Sequence, residues 1–204
     1  MNNIYRLIWG FFLYIFKQQT EGVSVIAFLA TTTISVIVLN VIFLLYERIS
    51  EKKLEKRYKR TLFLMAVYAC IIFQIAFYRR IGSEKQMINT DLYFGFKNKY
   101  GMPDVKQIMY SFLNICFFIP WGFLIAHNMK NGFRKLFMTI LYCFLTSFFI
   151  ETMQYITKTG YFEVSDLVTN VLGGIIGCLF SFIVTAIIEW MRHRKSFGDS
   201  YEEY

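Results

Sequence analysis

Long uninterrupted runs of apolar residues, parted by short polar segments, dominate the chain. The run VSVIAFLATTTISVIVLNVIFLLY at 23–46 carries no charge, and crossing a bilayer takes about 20 residues at about 1.5 Å of rise each. Further runs of spanning length lie at 62–78, 109–128, 136–157 and 167–189. The pattern predicts an all-α fold, a polytopic transmembrane helix bundle of about five spans. Residues 4–16, IYRLIWGFFLYIF, are apolar and aromatic but too short to cross. They read as an N-terminal interfacial helix with Tyr5, Trp9 and Tyr14 at headgroup level and Arg6 and Lys17 as its charges. The alternative is an extra span or signal-anchor that moves the N-terminus inside.

Composition agrees with the pattern. Of 204 residues, 56% are apolar and only 18% charged, against about 25% charged in an ordinary soluble domain. Cys70, Cys116, Cys143 and Cys178 fall one to a span with no CxxC pair, so they read as small packing residues rather than as disulfide or zinc ligands. His127 and His193 sit at span ends beside basic residues. No metal or cofactor site is expected.

A net charge of +8 raises the question of nucleic acid, and placement argues against it. The basic residues gather in ERISEKKLEKRYKR (47–60), KNGFRK (130–135) and RHRK (192–195), the flanks of alternate spans. Three short segments on one side carry 13 Lys and Arg against 9 in longer segments on the other. The positive-inside rule then places the N-terminus outside and the C-terminus in the cytoplasm. Arg79 and Arg80, at the outer end of the second span, break the pattern. Glu47, Glu51 and Glu55 interleaved with Lys52, Lys56 and Lys59 favour a helical hairpin on the cytoplasmic side. The chain divides into 1–22 (interfacial), 23–61 (first span and basic hairpin), 62–190 (membrane domain) and 191–204 (tail). The one long polar segment, after Arg80, has the length of a lid or substrate-facing loop.

This topology puts the polar residues of the spans at one depth. Asn114 enters with the third span, Glu151 and Gln154 end the fourth one turn apart, Asp166 and Asn170 open the fifth, and Arg79 and Arg80 end the second. A lone ionisable group inside a span costs about 2.5–3.5 kcal/mol on the insertion scale, so it normally faces the bundle and finds a partner. Arg79 or Arg80 is placed to pair with Glu151 or Asp166, with Asn114, Gln154 and Asn170 completing the hydrogen bonds. Interhelical glue without a substrate is the competing reading. In the fifth span Asn170, Gly173, Gly174, Gly177 and Ser181 form a small-residue stripe expected to press the Asp166 and Asn170 face against the fourth helix. Pro120 and Gly122 are expected to bend or break the third helix and free backbone carbonyls.

Three segments in this order, NICFFIPWGFLI (114–125), FFIETMQYI (148–156) and DLVTNVLGGIIG (166–177), resemble the VanZ-like family. Asn114, Phe118, Pro120, Gly122, Glu151, Gln154, Asp166, Asn170, Gly173 and Gly177 match its pattern, over about residues 62–190. Where many members carry an arginine after the glycine between the last two motifs, this chain has Gly160, Tyr161 and Phe162. The resemblance implies a multi-pass protein of the bacterial cytoplasmic membrane and a role in resistance to teicoplanin, a lipoglycopeptide that acts on cell-wall precursors outside the membrane.

Three functions remain in play. The first is envelope protection, with Arg79, Asn114, Glu151, Gln154, Asp166 and Asn170 binding a lipid-linked precursor or lipoglycopeptide in the outer leaflet. The second is an intramembrane enzyme acting on a lipid headgroup, with Glu151 and Asp166 as its catalytic acid and base. The third is a structural or transport bundle. Membrane lipid is the expected partner in each, and the oligomeric state is left open.

Overall fold

The computed structural model describes residues 21–96, 100–129 and 132–199, together with positions 6, 9, 10, 13, 14, 16 and 17. The expected interfacial helix at 4–16 lies largely outside the described residues; Arg6, Trp9, Gly10, Leu13, Tyr14 and Phe16 are helical and exposed. Five long helices follow, α1 (Val25–Ser50), α2 (Lys56–Ala76), α3 (Val105–His127), α4 (Gly132–Ile156) and α5 (Val164–Asp199). Each is long and apolar enough to cross a membrane. The family membership established below and these helices make the chain a multi-pass membrane protein.

Burial is inverted relative to a soluble domain. Thr139, Ser147, Ser165, Ser181, Glu151, Gln154 and Asn170 are buried, while large apolar side chains on every helix are exposed. Lipid is as apolar as leucine, so nothing drives those side chains inward, and polar groups seek one another inside the bundle. α1 is the extreme case: Phe43 is its one buried residue. Its Thr31, Thr33 and Asn40 side chains donate back to carbonyls of their own helix at 2.8 Å, which hides polar groups without a partner helix. Ser35 reaches Cys70 of α2 at 3.4 Å. The basic hairpin turns at Glu51 (φ 55°), and Lys59 pairs there with Glu47 at 2.8 Å while lying over the Phe43 ring.

α3, α4 and α5 form the core with the C-terminal part of α2. Ala76, Phe118, Ile125, Cys143 and Ile150 are packed together and ringed by Met65, Ile72, Phe77, Trp121 and Met129. One expectation is corrected here and one is widened. α3 runs unbroken through Pro120. The tight packing of its neighbours holds it, and the Tyr68 hydroxyl donates at 2.6 Å to the Phe117 carbonyl, one residue from the Cys116 carbonyl that the proline deprives of its amide donor. The small-residue stripe of α5 meets α3 through Gly173 and Gly177 as well as α4 through Asn170 and Gly174. A Cβ on Gly173 or Gly177 would collide with the carbonyls of Ile115 or Ile119, and one on Gly122 with the backbone of Gly174. Gly174 turns to α4, where Cys143 fills its space.

Between α2 and α3 the chain makes a 3-10 turn, Tyr78–Arg80, and then a two-residue strand β1 (Ile88–Asn89) that pairs in parallel with β2 (Phe162–Glu163). This segment is laced to the α4–α5 turn: the amide of Lys85 and the hydroxyl of Ser83 both donate to the Lys158 carbonyl, at 2.9 and 3.2 Å. It straps one end of the bundle, and the polar residues lie beneath it.

Candidate functional site

The geometry starts from the end of α4. Lys158 takes a left-handed φ of 56°, and the Thr159 amide returns to the Gln154 carbonyl at 3.0 Å, a helix stop of the Schellman kind. The chain then doubles back through Gly160 and Tyr161 into β2, which feeds α5 without a break. Glu151 and Gln154 on α4 thus face Asp166 and Asn170 on α5 across a turn of a few residues.

Each group has a fixed partner. Glu151, 3% exposed, receives the Glu163 amide hydrogen on Oε2 at 3.1 Å, so β2 grips the carboxylate as it enters α5. The Gln154 amide donates to the Ala76 carbonyl at 3.1 Å, closing the last turn of α2. Asn170 donates to Ser147 Oγ at 2.8 Å, and the Asn114 amide hydrogen-bonds the Asp166 carboxylate. Polar side chains of three helices therefore meet here, and one of them reaches the backbone of a fourth. Asn170→Ala is expected to lower thermal stability by about 1 kcal/mol, the usual size of a hydrogen bond between helices in lipid. The same change in a Ser147→Ala background should cost little more than Ser147→Ala alone. Full additivity in that double-mutant cycle would contradict the pairing.

Two adjoining cavities lie here. The inner, about 70 Å³, is lined by Arg80, Asn114, Glu151, Gln154, Asp166 and Asn170 against an apolar wall that includes Leu113, Phe118 and Ile150. The outer, about 470 Å³, shares Arg80, Asn114, Gln154 and Asp166 with it. Its lining also includes Lys85, Lys106, Tyr161 and Glu163, of which Lys85, Lys106 and Tyr161 are exposed. The outer cavity is the size of a ligand pocket, about 300–1,000 Å³, and the inner has room for a few waters. The deepest residues of the inner lining are at the level of Phe117, Phe118, Ile150 and Asn170, and both cavities lie at the strapped end.

The structure brings together Asn114, Glu151, Gln154, Asp166 and Asn170. Arg79 is different, because its side chain lies outside the described residues, and the arginine that lines both cavities is its neighbour Arg80. An added Cβ at Gly160 would come within 3.0 Å of Arg80 Nη1. The glycine thus makes room for a guanidinium from the 3-10 turn after α2, in the turn where many members of the family it resembles carry an arginine of their own. Glu163 and Ser147 escaped the sequence reading. Glu163 belongs to a loop motif with no helical period, and Ser147 is one small residue among many. Of these two, only Glu163 carried a signal, a lone carboxylate three residues before Asp166.

Burial pushes the Glu163 carboxyl above its ordinary value of 4.5, and Arg80 draws it partway back. Asp166, Glu151, Lys85 and Lys106 are the other charged groups around it. A carboxyl raised in the folded state favours its neutral form there. The stability it confers is present below 4.5 and lost as pH rises through the folded value. Glu163→Gln should therefore melt with the parent near pH 4 and above it near pH 8. A gap that does not change with pH would contradict the burial argument.

Residues 60–185 match the family model described as VanZ/LLP1. Protein VanZ of Enterococcus faecium is 37% identical over 65 residues, 31% of this chain and 38% of that protein, so the chain spans about two-fifths of that relative's length. No solved structure matches the chain. A family model that covers well over half of the sequence, and the residues that build the pocket, leads to one conclusion: the chain belongs to the VanZ/LLP1 family.

Proposed function

We propose that the protein guards the cell envelope against teicoplanin-type glycopeptides by holding an amphiphile, a lipid-linked cell-wall precursor or the lipoglycopeptide itself, in the strapped pocket, and that this pocket faces the outside. The observation that carries the reading is the polar cavity of about 470 Å³ that adjoins the small chamber lined by Glu151. Interhelical glue needs hydrogen bonds but no open volume. Orientation rests on the basic hairpin and tail at the opposite end of the helices, which the positive-inside rule keeps in the cytoplasm.

Expression in a teicoplanin-sensitive Gram-positive host should raise the minimum inhibitory concentration of teicoplanin severalfold. An unchanged value at confirmed membrane abundance would overturn the protective role. A second reading has its own support: Glu151 and Asp166 line the same water-sized chamber, the placement an acid and base acting on a headgroup would need. Mass spectrometry of the lipids with and without the protein separates the two. A new or vanished headgroup species indicates catalysis, and an unchanged lipidome indicates binding.

A further inference from the structure

At the end of the bundle opposite the strap, two helices begin with charge of the wrong sign. A helix N-terminus favours acidic side chains, yet the first turns of α2 and α4 hold none, and Arg57 and Lys135 stand there instead. Topology accounts for basic residues that lie in water at this end. It does not account for Lys135, which is only 3% exposed. This lysine belongs to the inward face of α4, in helical register with the buried Thr139 and Cys143. Its ammonium lies 4.2 Å from the centre of the Phe182 ring on α5, and a ring face attracts a cation without neutralising it. Among the described residues the one ion pair is Lys59–Glu47, so no carboxylate closes on Lys135.

A second polar group is hidden close by. His127, the last residue of α3, has its Nδ1 buried with no hydrogen-bond partner, and Arg57, Lys135 and Arg60 lie in electrostatic reach of its ring. Arg57 ties the cluster together by donating to the His127 carbonyl at 2.7 Å, which uses one of five guanidinium hydrogens. Of the carboxylates at this end, Glu47 is committed to Lys59 and the Leu54 amide. Glu51, Glu55 and Glu189 are exposed. Three helices thus converge on an electropositive spot made of a buried ammonium, a buried imidazole nitrogen and the rest of a guanidinium. Buried cations are ordinarily paired and buried polar groups hydrogen-bonded, and an anion is the one kind of partner that answers all three.

We infer that this end of the bundle binds a phosphate group, its oxygens shared among Lys135, Arg57 and His127, carried by an anionic phospholipid headgroup or by a soluble phosphate ester. Phosphate oxygens accept from arginine and lysine together, and basic pockets between membrane helices suit anionic headgroups. The site lies at the far end of the helices from the strapped pocket, so it can be filled whatever that pocket holds.

The test titrates the purified full-length chain in detergent with a short-chain phosphatidylglycerol, the matching phosphatidylcholine and glycerol 3-phosphate, read by calorimetry and by thermal unfolding. Phosphatidylglycerol should bind at least tenfold more tightly than phosphatidylcholine and raise the unfolding temperature. Lys135→Met and Arg57→Gln should each weaken its binding at least tenfold. Without lipid, Lys135→Met should melt no lower than the parent, because an apolar side chain replaces a buried charge that has no ion-pair partner. Arg57→Gln, at an exposed position, keeps the test decisive should Lys135→Met fail to fold. Lys52→Gln, exposed in the hairpin, should bind like the parent. Glycerol 3-phosphate binding as tightly as phosphatidylglycerol would assign the site to a soluble ester and keep the phosphate. Equal affinity for the two lipids, with no binding of glycerol 3-phosphate, would overturn the inference. So would a Lys52→Gln chain weakened as much as Arg57→Gln, the mark of diffuse attraction by a basic surface.

Discussion

Cells expressing Glu151→Gln should fall back to the teicoplanin susceptibility of the host, with the variant present in the membrane at the parent's level. The substitution keeps shape and size. A glutamine oxygen still accepts the Glu163 amide hydrogen that Glu151 now receives at 3.1 Å, so the junction of β2 and α5 is kept. What disappears is an ionisable carboxyl at the floor of the inner chamber, where it lies almost wholly shielded from solvent. An ionisable residue in a span is costly to keep, of the order of 2.5–3.5 kcal/mol on the insertion scale, and a purely structural network would do as well with the amide. Full resistance in this variant at normal abundance would sink the pocket account and leave the four-helix network as glue.

Gly177→Leu should remove folded protein altogether, a different failure with a different cause. Even a Cβ at that position overlaps the Ile119 carbonyl, and backbone cannot rotate aside as a side chain can. Overpacking costs about 1–3 kcal/mol where neighbours can adjust, and here the helices themselves must separate. α3 and α5 carry Asn114 and Asp166, so spreading them also breaks that hydrogen bond. Little monodisperse protein should survive extraction and size-exclusion chromatography. Gly132→Ala is the control, because an added Cβ there finds its nearest neighbour 3.9 Å away. Normal yield for Gly177→Leu would show that the close approach of α3 and α5 is dispensable.

The architecture was legible because lipid imposes it: an uncharged run such as 23–46 has no alternative to a helix, and the polar exceptions mark the inward faces. What sequence could not supply was the partner of each face. The stripe from Gly173 to Gly177 announces a close approach, yet it is equally consistent with α4 or α3, and only the collisions of Gly173 and Gly177 with Ile115 and Ile119, and of Gly174 with Cys143, show that it meets both. Pro120 promised a bend or a break because local chemistry disfavours it inside a helix, and the helix runs on through it. Arg79 and Arg80 are adjacent and chemically identical; the placement of Arg80 at the cavities depends on the 3-10 turn at Tyr78–Arg80, which no periodicity announces. The strand pair at Ile88 and Phe162 is two residues long and joins segments more than seventy apart, beyond the reach of any local pattern. The pocket's inner groups could be found from depth alone, whereas Glu163 and the lysines at its mouth needed the strap.

Everything functional here depends on which side of the membrane the strapped pocket faces. Lys85, exposed at its mouth, offers the direct measurement: Lys85→Cys treated with a membrane-impermeant maleimide in intact cells, with the parent chain and its four native cysteines as background. The account predicts labelling in intact cells that does not increase on permeabilisation and that slows when a bound amphiphile fills the pocket. Labelling only after permeabilisation would place the pocket in the cytoplasm and contradict it.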